Sequence, residues 1–143
     1  MQVSELMSPH VVTVAPEDSC AVAARLLHRY NIGALPVCSK EGRLRGIVTD
    51  RDIVLRCVAA DTDPRFTSVK EVMSRGLACV SPQDDARAAT QKMAYEQVRR
   101  LPVVDGGGQL VGMLSLGDMA KAGSCGMEAA QALSEISGQI KGM

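Results

Sequence analysis

Residues 35–52 read LPVCSKEGRLRGIVTDRD, and residues 101–118 read LPVVDGGGQLVGMLSLGD. The two stretches keep one register. Leu35-Pro36-Val37 meets Leu101-Pro102-Val103, Gly46 meets Gly112, and Asp52 meets Asp118, always 66 positions on. Outward toward the N-terminus, the same offset pairs Met7 with Met73, Val14 with Val80, Pro16 with Pro82 and Asp18 with Asp84. The register holds from about Val3 to Ile53 without an insertion, so the chain is one unit written twice.

Each copy has the same local grammar. VVTVAP is Val-rich and predicts a strand. Pro16 with Glu17-Asp18 suits a helix start; in the second copy Ser81 can cap, with Pro82 in the first helical position and Asp84 three residues after the cap. Ala23, Leu26, Leu27 and Tyr30 recur at helical spacing, their counterparts Ala89, Met93 and Val98 less regularly, and Asn31 and Gly33 stop the first helix. ALPVC and RLPVVD read as strands, followed by turns at Lys40-Glu41-Gly42 and Gly106-Gly107-Gly108. LRGIVT and LVGMLS are further strands, ending where Asp50-Arg51-Asp52 and Leu116-Gly117-Asp118 start another helix.

The expected fold class is therefore α/β, a two-layer α+β arrangement of two β-α-β-β-α repeats. A half of about 50 residues buries little surface alone, so the halves are expected to pack sheet to sheet as a pseudo-twofold pair. The boundaries read as repeat 1 over 1–60, a linker over 61–66, repeat 2 over 67–122, and a C-terminal helix and tail over 123–143. In that tail MEAAQALSEIS places Ala129, Leu133 and Ile136 near one helical face, to lie on a neighbouring subunit or to cap its own domain.

Composition narrows the function classes. The 143 residues carry 16 basic and 16 acidic side chains, a formal net charge of zero, which argues against a general binder of nucleic acid or anionic membrane. Tyr30, Tyr95 and Phe66 are the only aromatic residues, so the core must be built from Val, Leu, Ile, Met and Ala, and little is left for base stacking. Five cysteines at irregular spacing, with only His10 and His28 beside them, fit neither a zinc cluster nor a disulfide framework and suit a reducing compartment. No segment approaches the roughly 18 continuous apolar residues of a membrane helix, and the chain reads as cytoplasmic. There is no GxxxxGK[ST] loop and no supported Ser/His/Asp or Cys/His set. His28 reads as a helix-surface residue.

The chemistry gathers in the repeated tails, GIVTDRD and GMLSLGD, both G-x-x-[ST]-x-x-D. Thr49 and Ser115 end a strand, while Asp52 and Asp118 sit in the following helical turn. Hydroxyl and carboxylate can converge on a ligand there, the carboxylate accepting the two hydroxyls of a ribose diol. The same residues can equally be a helix cap and a favourable first-turn acid. Arg99 and Arg100 precede the second LPV, and Arg51 lies inside the first motif; guanidinium forks suit phosphate. At the register of Arg99-Arg100 the first copy has Gly33-Ala34, so one side is open and apolar and the other basic.

VSELMSPHVVTVAPEDS, NIGALPV and GIVTDRDI, then VKEVMSRGLACVSPQDD, VRRLPVVD and GMLSLGD, closely resemble the cystathionine-β-synthase (CBS) domain family, as stand-alone bacterial proteins made of one CBS pair. The resemblance spans about Val3 to Ala120. It implies the paired module often called a Bateman module, regulatory and not an enzyme, with clefts between the repeats that take adenosyl ligands: AMP, ADP, ATP or S-adenosylmethionine. Carried over residue by residue, it puts Thr13, Ile32, Gly33 and Ala34 around one base, with Ser115 and Asp118 at the ribose. Around the other it puts Cys79, Val98 and Arg99, with Thr49 and Asp52 at the ribose and Arg100 and Arg51 toward phosphate. Cys79 replaces the family's more usual threonine or serine, and Gly117 an often polar residue. The resemblance also implies a homodimer acting on a separate effector protein. Two other functions stay open, a structural or interaction module with vestigial clefts, and a small redox protein using Cys79 or Cys125.

Overall fold

The fold was obtained as a computed structural model, which describes residues 1–121 and 130–136. Its elements follow the repeat. They are α1 (Val3–Leu6), α2 (Cys20–Tyr30), β1 (Ala34–Cys38), β2 (Leu44–Thr49) and α3 (Asp50–Ile53), which runs on as a π-helical turn, Val54–Val58. The second copy gives α4 (Val69–Val72), α5 (Ala86–Glu96), β3 (Arg100–Val104), β4 (Leu110–Ser115) and α6 (Leu116–Lys121). Residues 130–136 are helical and are called α7. The chain is a mixed α/β fold of two β-α-β-β-α-like repeats.

The chain forms two compact units that do not follow its linear order. One is Val12–Leu77; the other joins Met1–Val11 to the chain from Ala78 on. The leader of each sequence repeat thus belongs to the unit built on the other. β1 pairs antiparallel with β2 and β3 with β4, in equivalent register (Ala34↔Thr49, Arg100↔Ser115). Ser74 bridges to Ile47 on the outer side of β2, and Ser8 to Met113 on the outer side of β4. Glycine makes this approach possible. A Cβ on Gly46 would lie 2.6 Å from the Ser74 carbonyl oxygen, and one on Gly112 would lie 2.6 Å from Met7 Sδ and 2.9 Å from the Ser8 carbonyl oxygen.

The strand expected over VVTVAP shrinks to one parallel bridge, Val14↔Val37, mirrored by Val80↔Val103. Proline explains this. Val14 N–H donates to the Pro36 carbonyl and Cys38 N–H to the Val14 carbonyl, but the next rung would need an N–H on Pro36, which has none. Pro102 ends the mirrored ladder the same way, so the residues before each bridge, Thr13 and Cys79 among them, leave the sheet edge.

The helix starts differ from those expected. Ser19 caps α2 (3.2 Å to Val22 N–H) and Asp85 caps α5 (2.9 Å to Arg87 N–H). Ser81 is not a cap. Ser81-Pro82-Gln83-Asp84 closes into a turn, Asp84 N–H to the Ser81 carbonyl at 3.1 Å and Ser81 N–H to Asp84 Oδ2 at 2.9 Å. Asn31 ends α2 in the left-handed conformation (φ 51°), and Gln97 ends α5 likewise (φ 58°).

The cores contain no aromatic side chain. Ala23, Leu27, Leu35, Val37, Val48 and Ile53 centre one; Ala89, Met93, Leu101, Val103, Leu114 and Met119 centre the other. Tyr30 departs from the buried stripe expected of it and is 48% exposed, under the guanidinium of Arg29 at 5.7 Å. On α7 the buried residues are Ala132 and Ile136, which join the second core, while Leu133 is 43% exposed. This helix caps its own unit; Ala129 lies outside the described residues. No described helix is long and apolar enough to cross a membrane.

Candidate functional site

Each unit builds the same corner where its hairpin meets the next helix. In the Val12–Leu77 unit, Thr49 Oγ1 accepts the Asp52 N–H at 3.0 Å and Asp52 Oδ2 accepts the Thr49 N–H at 2.9 Å. In the other unit Ser115 and Asp118 repeat this at 3.0 Å both ways. These are reciprocal capping boxes, with aspartate in the place usually taken by glutamate. Asp18 and Asp84 also bond the N–H three residues back, to Ala15 and Ser81. An aspartate closing a three-residue turn is therefore part of this fold's scaffold.

The box leaves chemistry over. It uses Oδ2 of each aspartate and an acceptor site of each hydroxyl. Oδ1 of Asp52 and of Asp118 has no hydrogen-bond partner among the described residues, and each hydroxyl keeps its proton to donate. All four residues are half-buried. Each corner therefore keeps an unbonded carboxylate oxygen and a hydroxyl proton side by side.

Backbone pairing sets the rest of each corner. Ala34 lies across from Thr49, and Asp50 N–H donates to the Gly33 carbonyl at 3.2 Å. Arg100 lies across from Ser115, and Leu116 N–H donates to the Arg99 carbonyl at 3.0 Å. The structure thus brings Ile32, Gly33 and Ala34 together with Thr49, Arg51 and Asp52, and Val98, Arg99 and Arg100 together with Ser115 and Asp118. Thr13 and Cys79 sit one strand over, just before the bridges at Val14 and Val80. Arg51, Arg99 and Arg100 are exposed, and no guanidinium among the three bonds another described residue.

Sequence reasoning passed over two charged residues here. Lys92 on α5 donates from Nζ to the Cys79 carbonyl at 2.7 Å, and Asp50 lies beside Gly33, whose added Cβ would be 3.8 Å from Asp50 Oδ2. The repeat offset holds the signal for both, because Lys92 matches Leu26 and Asp50 matches Leu116. The cysteines are free thiols: Cys20, Cys38 and Cys57 are buried and Cys79 is half-buried. Burial, with the neighbouring Cys57 thiol, pushes Cys20 up to about 11, and burial raises Cys38. Cys125 lies outside the described residues. Among those residues no three His, Cys, Asp or Glu side chains gather as a metal site.

The CBS-domain family model matches residues 3–58 and again 69–124. The chain belongs to the CBS-domain family. CBS domains are characteristically non-enzymatic, and this chain is a non-catalytic CBS pair. It is 42% identical over 137 residues to the CBS domain-containing protein YhcV of Bacillus subtilis, covering 96% of each chain. Its fold matches the crystal structure of CBSX2 in complex with AMP at TM-score 0.75 and 28% identity, covering 85% of this chain and 95% of that one. It also matches the CBS domain pair of protein MJ0100 in complex with 5′-methylthioadenosine and S-adenosyl-L-methionine, at TM-score 0.74 and 25% identity over 87% and 96%.

Proposed function

We propose that this CBS pair is a regulatory module that binds an adenosyl ligand, AMP, ADP, ATP or S-adenosylmethionine, through its two repeated corners. The carrying observation is the open oxygen. In both units a box fixes a hydroxyl and an aspartate side by side while leaving Oδ1 and a hydroxyl proton for a ribose diol. Thr49, Asp52, Ser115 and Asp118 hold ribose in this reading. Thr13, Ile32, Gly33, Ala34, Cys79 and Val98 line the base regions, and Arg51, Arg99 and Arg100 meet phosphate. The AMP and S-adenosylmethionine complexes of CBSX2 and MJ0100 support the ligand class.

The module acts as a cytoplasmic homodimer in this proposal. Unpaired buried thiols suit a reducing compartment. Val54, Leu55 and Val58, each more than half exposed along one π-helical turn, supply an apolar surface for a second copy. Its output goes to a separate effector protein. A regulatory response requires two arrangements that differ in ligand affinity.

Isothermal titration of AMP, ATP and S-adenosylmethionine tests the reading, run beside an Asp52→Asn, Asp118→Asn variant whose amides can still accept the capping bond. Saturable binding to the parent, lost in a variant that remains folded, supports it. Silence from all three ligands with folded parent protein refutes it and leaves an interaction module.

A further inference from the structure

Away from both corners, α7 does more than close its core. Ala132 and Ile136 bury themselves there, yet a cavity of about 320 Å³ opens between α5 and α7. That volume lies at the small end of ligand pockets, which run from about 300 to 1,000 Å³. Small side chains leave the space, because Ala94 on α5 and Ala132 on α7 line it where larger residues would fill it. Thr90 lines it too, but its hydroxyl already donates to the Ala86 carbonyl at 3.0 Å, so that proton is not free for a ligand.

The charge of this cavity is particular to the second repeat. Where α5 has Thr90, Gln91, Ala94 and Tyr95, the first repeat has Ala24, Arg25, His28 and Arg29. Two guanidiniums and an imidazole are thus replaced by neutral groups on the helix face that meets α7. The other wall then brings an acid. Glu135 is the one carboxylate among the described residues lining the cavity, and no described lysine or arginine joins it. Gln131 Nε2 donates to Glu135 Oε1 at 3.2 Å, which orients the carboxylate, while Oε2 has no hydrogen-bond partner among the described residues. Lys92, beside Gln91 in the chain, is held elsewhere by its Nζ bond to the Cys79 carbonyl. Tyr95, 85% exposed, adds an aromatic ring at the rim.

Alanine methyls, an aromatic ring and one open carboxylate oxygen suit a positive head on a short apolar stem. We propose that the α5–α7 cavity is a ligand site of its own, selective for a small aliphatic ammonium ion. The head group meets Glu135 Oε2, the stem lies over Ala94 and Ala132, and the Tyr95 ring shields the pair from water. The site lies within one unit and is independent of the adenosyl reading.

The test is an amide NMR titration of the full chain with n-pentylamine, pentanol and pentanoate, which share one alkyl chain and differ in charge. Pentylamine should shift the amides of Gln91, Ala94, Tyr95, Gln131 and Glu135 and bind about threefold or more tighter than pentanol, the scale of a partly exposed ion pair. Pentanoate should not bind. Glu135→Gln, which keeps the side-chain shape, should bring pentylamine level with pentanol. Ala94→Met, which fills the cavity, should abolish both; should that variant unfold, the shift map and Glu135→Gln decide alone. Shifts that miss α5 and α7, equal affinity for amine and alcohol in the parent, or an amine preference surviving Glu135→Gln would overturn the proposal.

Discussion

Gly46 and Gly112 are where a single methyl group tests the fold most directly. Neither has a positive φ, so alanine is compatible with the backbone and the effect is steric. On Gly46 the new Cβ would meet the Ser74 carbonyl oxygen at 2.6 Å, against an ordinary carbon–oxygen contact of about 3.3 Å or more. A backbone oxygen cannot swing away, so the Met73–Ser74 segment must retreat by roughly 0.7 Å. That stretches the two bonds joining it to Ile47, now 2.9 and 3.1 Å, past about 3.5 Å. Two lost backbone bonds cost about 1–3 kcal/mol, and loosened packing of buried Val72 and Met73 adds to this. The restricted unfolded chain returns roughly 0.4–1 kcal/mol. The net for Gly46→Ala is about 2 kcal/mol.

Gly112→Ala should cost about half as much, because its nearest neighbour at 2.6 Å is Met7 Sδ on a flexible side chain and the Ser8 carbonyl oxygen stands back at 2.9 Å. Gly117→Ala is the control. Its Cβ would reach only Ser115 Oγ at 3.6 Å, and helix propensity favours alanine by roughly 1 kcal/mol. Urea unfolding gives the three values, and a melt should show Tm falling by about 3 °C per kcal/mol. Amide exchange localises the loss to Ile47 and Ser74 in Gly46→Ala. A Gly46→Ala protein within about 0.5 kcal/mol of the parent, or one more stable than Gly112→Ala, would refute the close-approach reasoning.

Other outcomes follow from packing and charge. Ile136→Ala should cost about 2–4 kcal/mol in chemical unfolding and Leu133→Ala under about 0.5, since only Ile136 is buried. Arg56 donates through one guanidinium nitrogen to the carbonyls of Val72 (3.0 Å) and Met73 (3.3 Å) at the end of α4, so Arg56→Met should cost about 1–2 kcal/mol, read by urea unfolding. Cys20 is raised from 9.0 to about 11, so the unfolded chain releases this proton first; its contribution to stability is complete below about pH 9 and lost as pH climbs toward 11. A pH series of urea midpoints should fall over that window in the parent and less in Cys20→Ala. Thiol labelling at pH 8 should modify Cys79 well before Cys20 or Cys57, and equal rates would contradict their burial.

Much of this was legible in the sequence because the chain repeats it. A constant offset located β1–β4 and both corner motifs, and a core without aromatics followed from there being three such residues. What stayed hidden depends on partners far along the chain. No local signal says that Met7-Ser8 joins β4 or Ser74 joins β2, so a contiguous reading cannot foresee which leader serves which unit. The cap positions failed for a related reason. Ser81-Pro82-x-Asp84 is a sound helix start by local rules, but a turn uses the same groups, and the α1 leader takes the next carbonyl through Val3 N–H on Asp84. Tyr30 fits the apolar period yet sits at the last turn of α2, where the core has already ended. Lys92 was readable, but only by asking which charges the second copy has and the first lacks.

At the corner residues a capping role does not compete with the proposed binding role. An aspartate free to rotate would lose that freedom on meeting a diol, and the ordering would subtract from affinity. Here the box orders Asp52 and Asp118 through one carboxylate oxygen and leaves the other without a partner among the described residues. On the proposed adenosyl reading, stability and binding draw on different oxygens of one group. Alanine at these positions removes both, so lost binding in Asp52→Ala cannot be separated from a loosened α3. Asparagine keeps an acceptor for the cap and gives up the charge. If Asp52→Asn unfolds with the parent yet binds ligand more weakly, the second oxygen is a ligand group. If it binds as the parent does, the aspartate is scaffold alone, closing its turn as Asp18 and Asp84 close theirs.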